Sequence, residues 1–186
     1  MSHDFLIRSG DNRAMDRLAI ADAAYVYGAA VDMLGNNPVT PGVADTALEE
    51  AVALMAQALT PDARLRLLLA GADGPAQPLG TGGPRAAAQA VRTYFTAYGY
   101  VATYHPVSNI RIAFTGSASA KATCRIPCYH WLADGRMLLT PVNYEDRLIC
   151  HNGAWQIAER DIFAARFWIT EGYTPNPLDP KLNRTA

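Results

Sequence analysis

The chain has 186 residues, half of them apolar and 18% charged, with a formal net charge of −1. That length and composition suit one domain, residues 1–186, with a sizeable core, and exclude disorder as the main state. The near-zero charge, with only Lys121 and Lys181 as lysines, argues against nucleic acid, which requires a basic face.

In chain order, the first ten residues lack the apolar centre of a secretory signal, and no run of about 18 uninterrupted apolar residues suggests a membrane span. The expectation is a cytoplasmic protein with no membrane partner. Residues 1–12 read as an extended terminus, in which Asp11-Asn12 caps a first helix over residues 13–34. Its stripe of Leu18, Ala21, Tyr25, Gly28 and Val31 has a period near 3.6, and Gly35-Asn36-Asn37-Pro38 stops it. A second helix, capped by Asp45 or Thr46, runs to about Leu59 and carries Leu48, Val52 and Met55. Thr60-Pro61-Asp62-Ala63 reads as a turn before a short strand over 64–70.

Residues 71–84 are rich in Gly and Pro, and Gly80-Thr81-Gly82-Gly83 reads as flexible linker; it lacks the lysine of a phosphate loop. Pro84 suits the start of a third helix over 85–98, stopped by Gly99. The pattern then changes to strands over 107–114, 117–132, 137–151 and 154–168, with Asp134-Gly135 and Asn152-Gly153 as hairpin turns. The Pro-rich tail, 174–186, reads as extended.

Helices followed by a long antiparallel meander imply an α+β fold: a strongly curved antiparallel sheet forming a cone, N-terminal helices packed on it, and a pocket inside. Cys124, Cys128 and Cys150 do not make a disulfide framework. Four residues along a strand separate the first two by roughly 13 Å, and the set lacks the spacing of a zinc site. No metal is expected.

Several segments carry a resemblance. Tyr144-Glu145-Asp146-Arg147-Leu148, Asn152-Gly153-Ala154-Trp155-Gln156-Ile157 and Glu159-Arg160 resemble the closing hairpin of SnoaL-like proteins of the nuclear transport factor 2-like superfamily. Tyr27 and Asp32 are spaced as in that group's first helix, with Val31 in place of its usual leucine, and His105-Pro106-Val107-Ser108-Asn109 is similar to the segment opening its first long strand. The match runs from about Asp16 to Trp168. Residues 35–58 are longer than the usual link.

The superfamily holds scytalone dehydratase, bile-acid dehydratases, ketosteroid isomerase, polyketide cyclases, small subunits of ring-hydroxylating dioxygenases and binding domains. The resemblance implies a lyase, a dehydratase or isomerase, working without cofactor on a small hydrophobic carbonyl or hydroxy compound, in a homo-oligomer (dimer or trimer). Tyr27, Asp32 and His105 would be its catalytic residues. The alternative is a noncatalytic ligand-binding module or a dioxygenase small subunit.

The chemistry accounts for those residue types. Eliminating water β to a carbonyl needs a base near neutral pH, a hydrogen-bond donor for the developing oxyanion, and a carboxylate to orient the base. On an ideal helix Asp32 returns to within about 20° of Tyr25, whereas Tyr27 stands about 140° away. Family spacing favours Tyr27 and helical geometry Tyr25, so either the last turn unwinds or Tyr25 belongs to the pocket. Among the strand aromatics, Trp131, Tyr144 and Phe163, together with Tyr25, are the candidates to contact substrate, and Tyr129 and Phe167 read as core. A two-residue turn at Asn152-Gly153 also pairs Asp146 with Glu159 and Glu145 with Arg160; the reading favoured over a carboxylate pair in the pocket is that the two acids lie beyond the buried zone or that an arginine joins them.

Overall fold

A computed structural model describes residues 13–42, 44–69, 77–164 and 168–170. The proposed Asp11-Asn12 cap, Phe167 and both extended termini lie outside the described residues. Among the described residues, three helices and eight strands follow in the order α1 (Ala14–Asn36), α2 (Thr46–Ala58), β1 (Leu59–Leu69), β2 (Gln77–Thr81), α3 (Gly83–Tyr98), β3 (Tyr100–Tyr104), β4 (Ser108–Phe114), β5 (Ser119–Leu132), β6 (Met137–His151), β7 (Ala154–Ala164) and β8 (Trp168–Thr170). The strands form one mixed sheet in the order β2-β1-β7-β6-β5-β3, with β4 also on β5 and β8 also on β6. Every pairing is antiparallel except β1 on β7, so the expected curled α+β sheet carries one parallel strand.

The long strands β5 and β6 set the curvature, and their alternation sorts the two faces. On β5, Ala120, Ala122, Cys124, Ile126, Cys128 and His130 are buried, while the residues between them face outward. The helices close the concave side, and α1 contributes Ile20, Ala23, Tyr27, Val31 and Leu34 to the core. By length and composition α1 could cross a membrane, but this face is built into the domain interior.

Several local expectations change. Thr60-Pro61-Asp62-Ala63 is not a turn but the start of β1, accommodated by an irregular register between Leu59 and Arg64 against β7. Proline is tolerated at such a bulge because no ladder hydrogen bond is required there. The glycine run is not a linker: it ends β2 and opens α3. Gly83 has φ 80°, and a Cβ there would stand 2.1 Å from the Pro61 carbonyl oxygen, so only glycine fits. The 35–58 segment is filled by α2, whose N-cap Asp45 accepts the Leu48 N–H at 3.0 Å. Buried Arg92 ties that cap to the end of α1, donating to Asp45 Oδ1 at 2.6 Å and to the Leu34 and Asn37 carbonyls at 2.7 Å. It thus satisfies carbonyls that the helix end leaves unpaired. Finally, β3 was not expected, although Tyr100-Val101-Ala102-Thr103-Tyr104 has the aromatic and β-branched content of a strand.

Candidate functional site

The site forms where α1 meets the break between β3 and β4. Both strands pair with β5, at opposite ends, and His105-Pro106-Val107 joins them. Proline at 106 holds its predecessor extended and cannot donate to a ladder, so the edge breaks there and His105 turns inward. Its side chain is 5% exposed.

Asp32 holds this histidine twice. Its Oδ1 accepts from the His105 ring Nδ1 at 2.6 Å and its Oδ2 accepts the His105 backbone N–H at 2.9 Å. Thr103 adds a third hydrogen bond, its hydroxyl donating to Oδ1 at 2.9 Å. A carboxylate in the last turns of a helix opposes the macrodipole, and these three donors offset that cost. Close approach of α1 to β3 makes the contacts possible. A Cβ on Gly35 would come within 2.1 Å of Thr103 Oγ1, and the Asn36 side chain clasps the Thr103 backbone through its N–H (2.9 Å) and carbonyl (3.1 Å).

His105 lines a largely apolar cavity of about 90 Å3. Tyr27, Tyr144, Phe95, Tyr100, Cys128 and His130 share the wall. Burial pushes the Tyr27 phenol up to about 12, with the nearby Arg160 charge opposing, so it stays protonated at neutral pH. Burial likewise raises Tyr144 and Cys128. Behind the two tyrosines lies Arg160, fully buried, its guanidinium 4.3 Å from the Tyr27 ring centroid and 4.1 Å from that of Tyr144.

Of the residues expected at the site, Tyr27, His105 and Tyr144 line the cavity, and Asp32 reaches it through His105. The choice between an unwound helix and Tyr25 falls away. The helix runs unbroken to Asn36, Tyr25 is 50% exposed, and Tyr27 is 1% exposed. Tyr27 and Asp32 need not share a face, because Tyr27 points into the cone while Asp32 points sideways at β3. Trp131 and Phe163 are corrected as well. Each alternates with a cavity residue, Trp131 with His130 and Phe163 with Ile162 and Ala164, so both point to the other side of the sheet. There Trp131 stacks on Tyr129, ring centroids 6.2 Å apart.

The expected pairing of Asp146 with Glu159 does not form, and an arginine does join Asp146. The register of the last hairpin holds from His151 opposite Ala154 to Leu148 opposite Ile157, then shifts by one, so that Arg147 faces Glu159 and Asp146 faces Arg160. His130 was not singled out from the sequence, although alternation along β5 places it on the Cys128 face. Among the described residues, no group of three or more His, Cys, Asp and Glu side chains is placed to hold a metal ion, and the three cysteines are free.

Comparison with known proteins agrees with this architecture. Among curated protein sequences none matches the chain. Solved structures share the fold at low identity. The hexachlorocyclohexane dehydrochlorinase LinA-type3 from Novosphingobium barchaimii is 18% identical over 89% of this chain and 97% of its own, with a TM-score of 0.65. A candidate scytalone dehydratase from Novosphingobium aromaticivorans is 18% identical over 90% and 96%, TM-score 0.62. The beta subunit of a candidate aromatic-ring-hydroxylating dioxygenase from the same organism is 15% identical over 82% and 90%, TM-score 0.58. The family model for the SnoaL-like domain matches residues 41–161. With that match over more than half of its length, and with the curled sheet, covering helices and internal pocket in place, the chain belongs to the SnoaL-like domain family.

Proposed function

We propose that the protein is a cofactor-independent lyase that removes a proton from carbon in a small hydrophobic substrate, dehydration of a β-hydroxy carbonyl compound being the reaction its pocket fits best. The observation that carries this reading is the Asp32–His105 pair opening on an apolar cavity. Asp32 on Nδ1 selects the tautomer with the proton on that nitrogen, so Nε2 carries the lone pair and is the base. As the imidazole takes a proton, the carboxylate beside it stabilises the cation formed. Tyr27, held protonated, donates to the oxygen that gains charge or leaves. The dehydrochlorinase and the candidate dehydratase among the structural neighbours support an elimination. The alternative, a binding module or oxygenase subunit, would use the same cavity and would keep the anchoring of Asp32 on His105 and Thr103 only as a tie between α1 and β3.

The test is exchange of the α-hydrogens of cyclohexanone in D2O, followed by turnover of a panel of β-hydroxy ketones. His105→Ala and Asp32→Asn are each expected to slow exchange at least 100-fold, the usual scale of general-base catalysis. An unchanged rate in His105→Ala removes His105 as the base.

A further inference from the structure

The cavity beside His105 has a larger neighbour. An apolar groove of about 280 Å3 lies where the ends of α1 and α3 meet β3, and Leu34, Val39, Val101 and Ala133 line it. Phe95 and Tyr100 line both the groove and the cavity. An aromatic ring in a core is ordinarily packed against side chains all round. These two are buried, at 6% and 8% exposed, yet each borders two open spaces. The cavity wall at Tyr27 and Tyr144, by contrast, is backed by Arg160.

The local sequence builds the shared wall. Tyr94-Phe95-Thr96-Ala97-Tyr98-Gly99-Tyr100 closes α3 and opens β3. Gly99 has φ 67° and donates its N–H to the Phe95 and Thr96 carbonyls, a left-handed helix end that glycine adopts without strain. The chain turns there, and Tyr100 comes back against Phe95, the rings edge-on with centroids 5.6 Å apart. Further rings brace the pair. Tyr98 and His130 stack on Tyr100 at 5.8 and 4.5 Å, and His130 meets Phe95 edge-on at 5.8 Å. Burial first, then the neighbouring His105, hold the His130 imidazole down to about 3, against a smaller opposing pull from Asp32, so it packs as an uncharged ring. On the cavity side Phe95 lies nearly parallel to the His105 ring, 17° between planes and 6.3 Å between centroids. The wall therefore stands directly beside the base.

We propose that Phe95 and Tyr100 set the size of the substrate: the molecule deprotonated by His105 fits on the cavity side of these two rings, which shut the groove off from any longer apolar substituent. This rests on the reading of His105 as the base. The substrate class is then a compact carbonyl compound without a bulky apolar extension, because the cavity of about 90 Å3 has room for the reacting unit alone. With the Phe95 ring removed, a substituent could run past His105 into the groove and bury its apolar surface there.

Valine methyl resonances read the two spaces separately, because Val31, Val91 and Val142 line the cavity but not the groove, and Val39 and Val101 the groove but not the cavity. The test titrates cyclohexanone and 4-phenylcyclohexanone by NMR into the wild-type protein, Phe95→Ala, Phe95→Leu and Ile162→Ala. In the wild type cyclohexanone is expected to shift the cavity methyls alone, and the phenyl ketone to bind at least tenfold more weakly. In Phe95→Ala the phenyl ketone should gain about tenfold or more, the scale of burying part of a ring, and shift both sets of methyls together. Phe95→Leu, a milder change for folding, is expected to move in the same direction. Ile162→Ala enlarges the cavity at a wall the groove does not share and should leave the groove methyls unmoved. The proposal is overturned if the wild type binds the phenyl ketone as tightly as cyclohexanone or shifts both sets of methyls with it, and neither readout requires a variant to fold. Groove methyls that stay still in the folded Phe95 variants overturn it as well. The base reading fails separately: deuterium exchange that survives His105→Ala removes His105 as the base, whatever the valine methyls report.

Discussion

Asp146 faces Arg160 across β6 and β7 because the register slips by one residue between Leu148 and Arg147. Without that bulge Asp146 would meet Glu159, two carboxylates on a buried face. With it, Arg160 donates to Asp146 from Nε and Nη2, both at 2.7 Å, and the paired side chains are 0% and 2% exposed. The extra residue turns Glu159 outward, where it meets Arg64 and Arg147 instead. A one-residue irregularity thus separates a buried ion pair from an exposed one and sets the guanidinium behind Tyr27 and Tyr144.

Removing one partner of this pair is expected to be severe. Asp146→Ala leaves Arg160 charged and uncompensated in the core, and the cost expected is about 3–5 kcal/mol. Urea denaturation of Asp146→Ala checks it. A change under 1 kcal/mol would show that the pair contributes little, and Glu159→Ala, on the exposed side, should cost less than 1 kcal/mol.

Gly35→Ala tests the approach of α1 to β3. Its Cβ would overlap Thr103, so the strand must shift and the hydrogen bonds of Thr103 and His105 to Asp32 lengthen. The expectation is a loss of about 1–3 kcal/mol, typical of an overpacked contact, together with a fall in α-hydrogen exchange. Thr103→Ser keeps the hydroxyl and should leave exchange within a few-fold of wild type. Chemical denaturation and exchange rates of the two variants, side by side, decide this.

His130 also makes stability depend on acid. Its native value of about 3 lies below the ordinary histidine value near 6.5. Below about pH 6.5 the unfolded chain therefore binds a proton that the native protein refuses. Stability falls as pH drops through this window, by up to roughly 1.4 kcal/mol per unit, until the native residue itself titrates. His130→Gln lacks this term. Between pH 6 and 4 its denaturation midpoint should decline less steeply than that of the wild type, and parallel declines would show that His130 is not held neutral.

Cysteine reactivity should follow burial. Burial raises the Cys124 thiol to about 11 and pushes Cys128 higher still, so neither forms thiolate readily. Iodoacetamide at pH 8 is expected to modify the native protein at Cys150 alone, which is half-buried. Mass spectrometry of the labelled peptides reads the outcome, and rapid labelling of Cys128 would mean that the pocket opens far more often than its packing suggests.

Much of the molecule was legible before folding. Helical periodicity, the Asp45 cap, Pro84 in the first turn of α3, Gly99 after it and the Asn152-Gly153 turn are local signals, and the elements they mark stand close to where the sequence places them. Family spacing pointed to Tyr27, Asp32 and His105; in the fold Tyr27 and His105 line one cavity and Asp32 bonds to His105. Tertiary structure alone decided the rest. The bulge that puts Asp146 on Arg160 arises from packing across the sheet, and nothing in the hairpin's turn signals it. Tyr25 and Tyr27 were separated by which side of α1 met the sheet, a choice that helical angles between residues cannot make. Trp131 and Phe163 went to the outer face because a strand's alternation, once its register is set, sends neighbours to opposite sides. The same alternation carried His130 inward beside His105. Local periodicity is written in the chain, but which face meets a partner depends on contacts between residues far apart in sequence, and those exist only once the chain has folded.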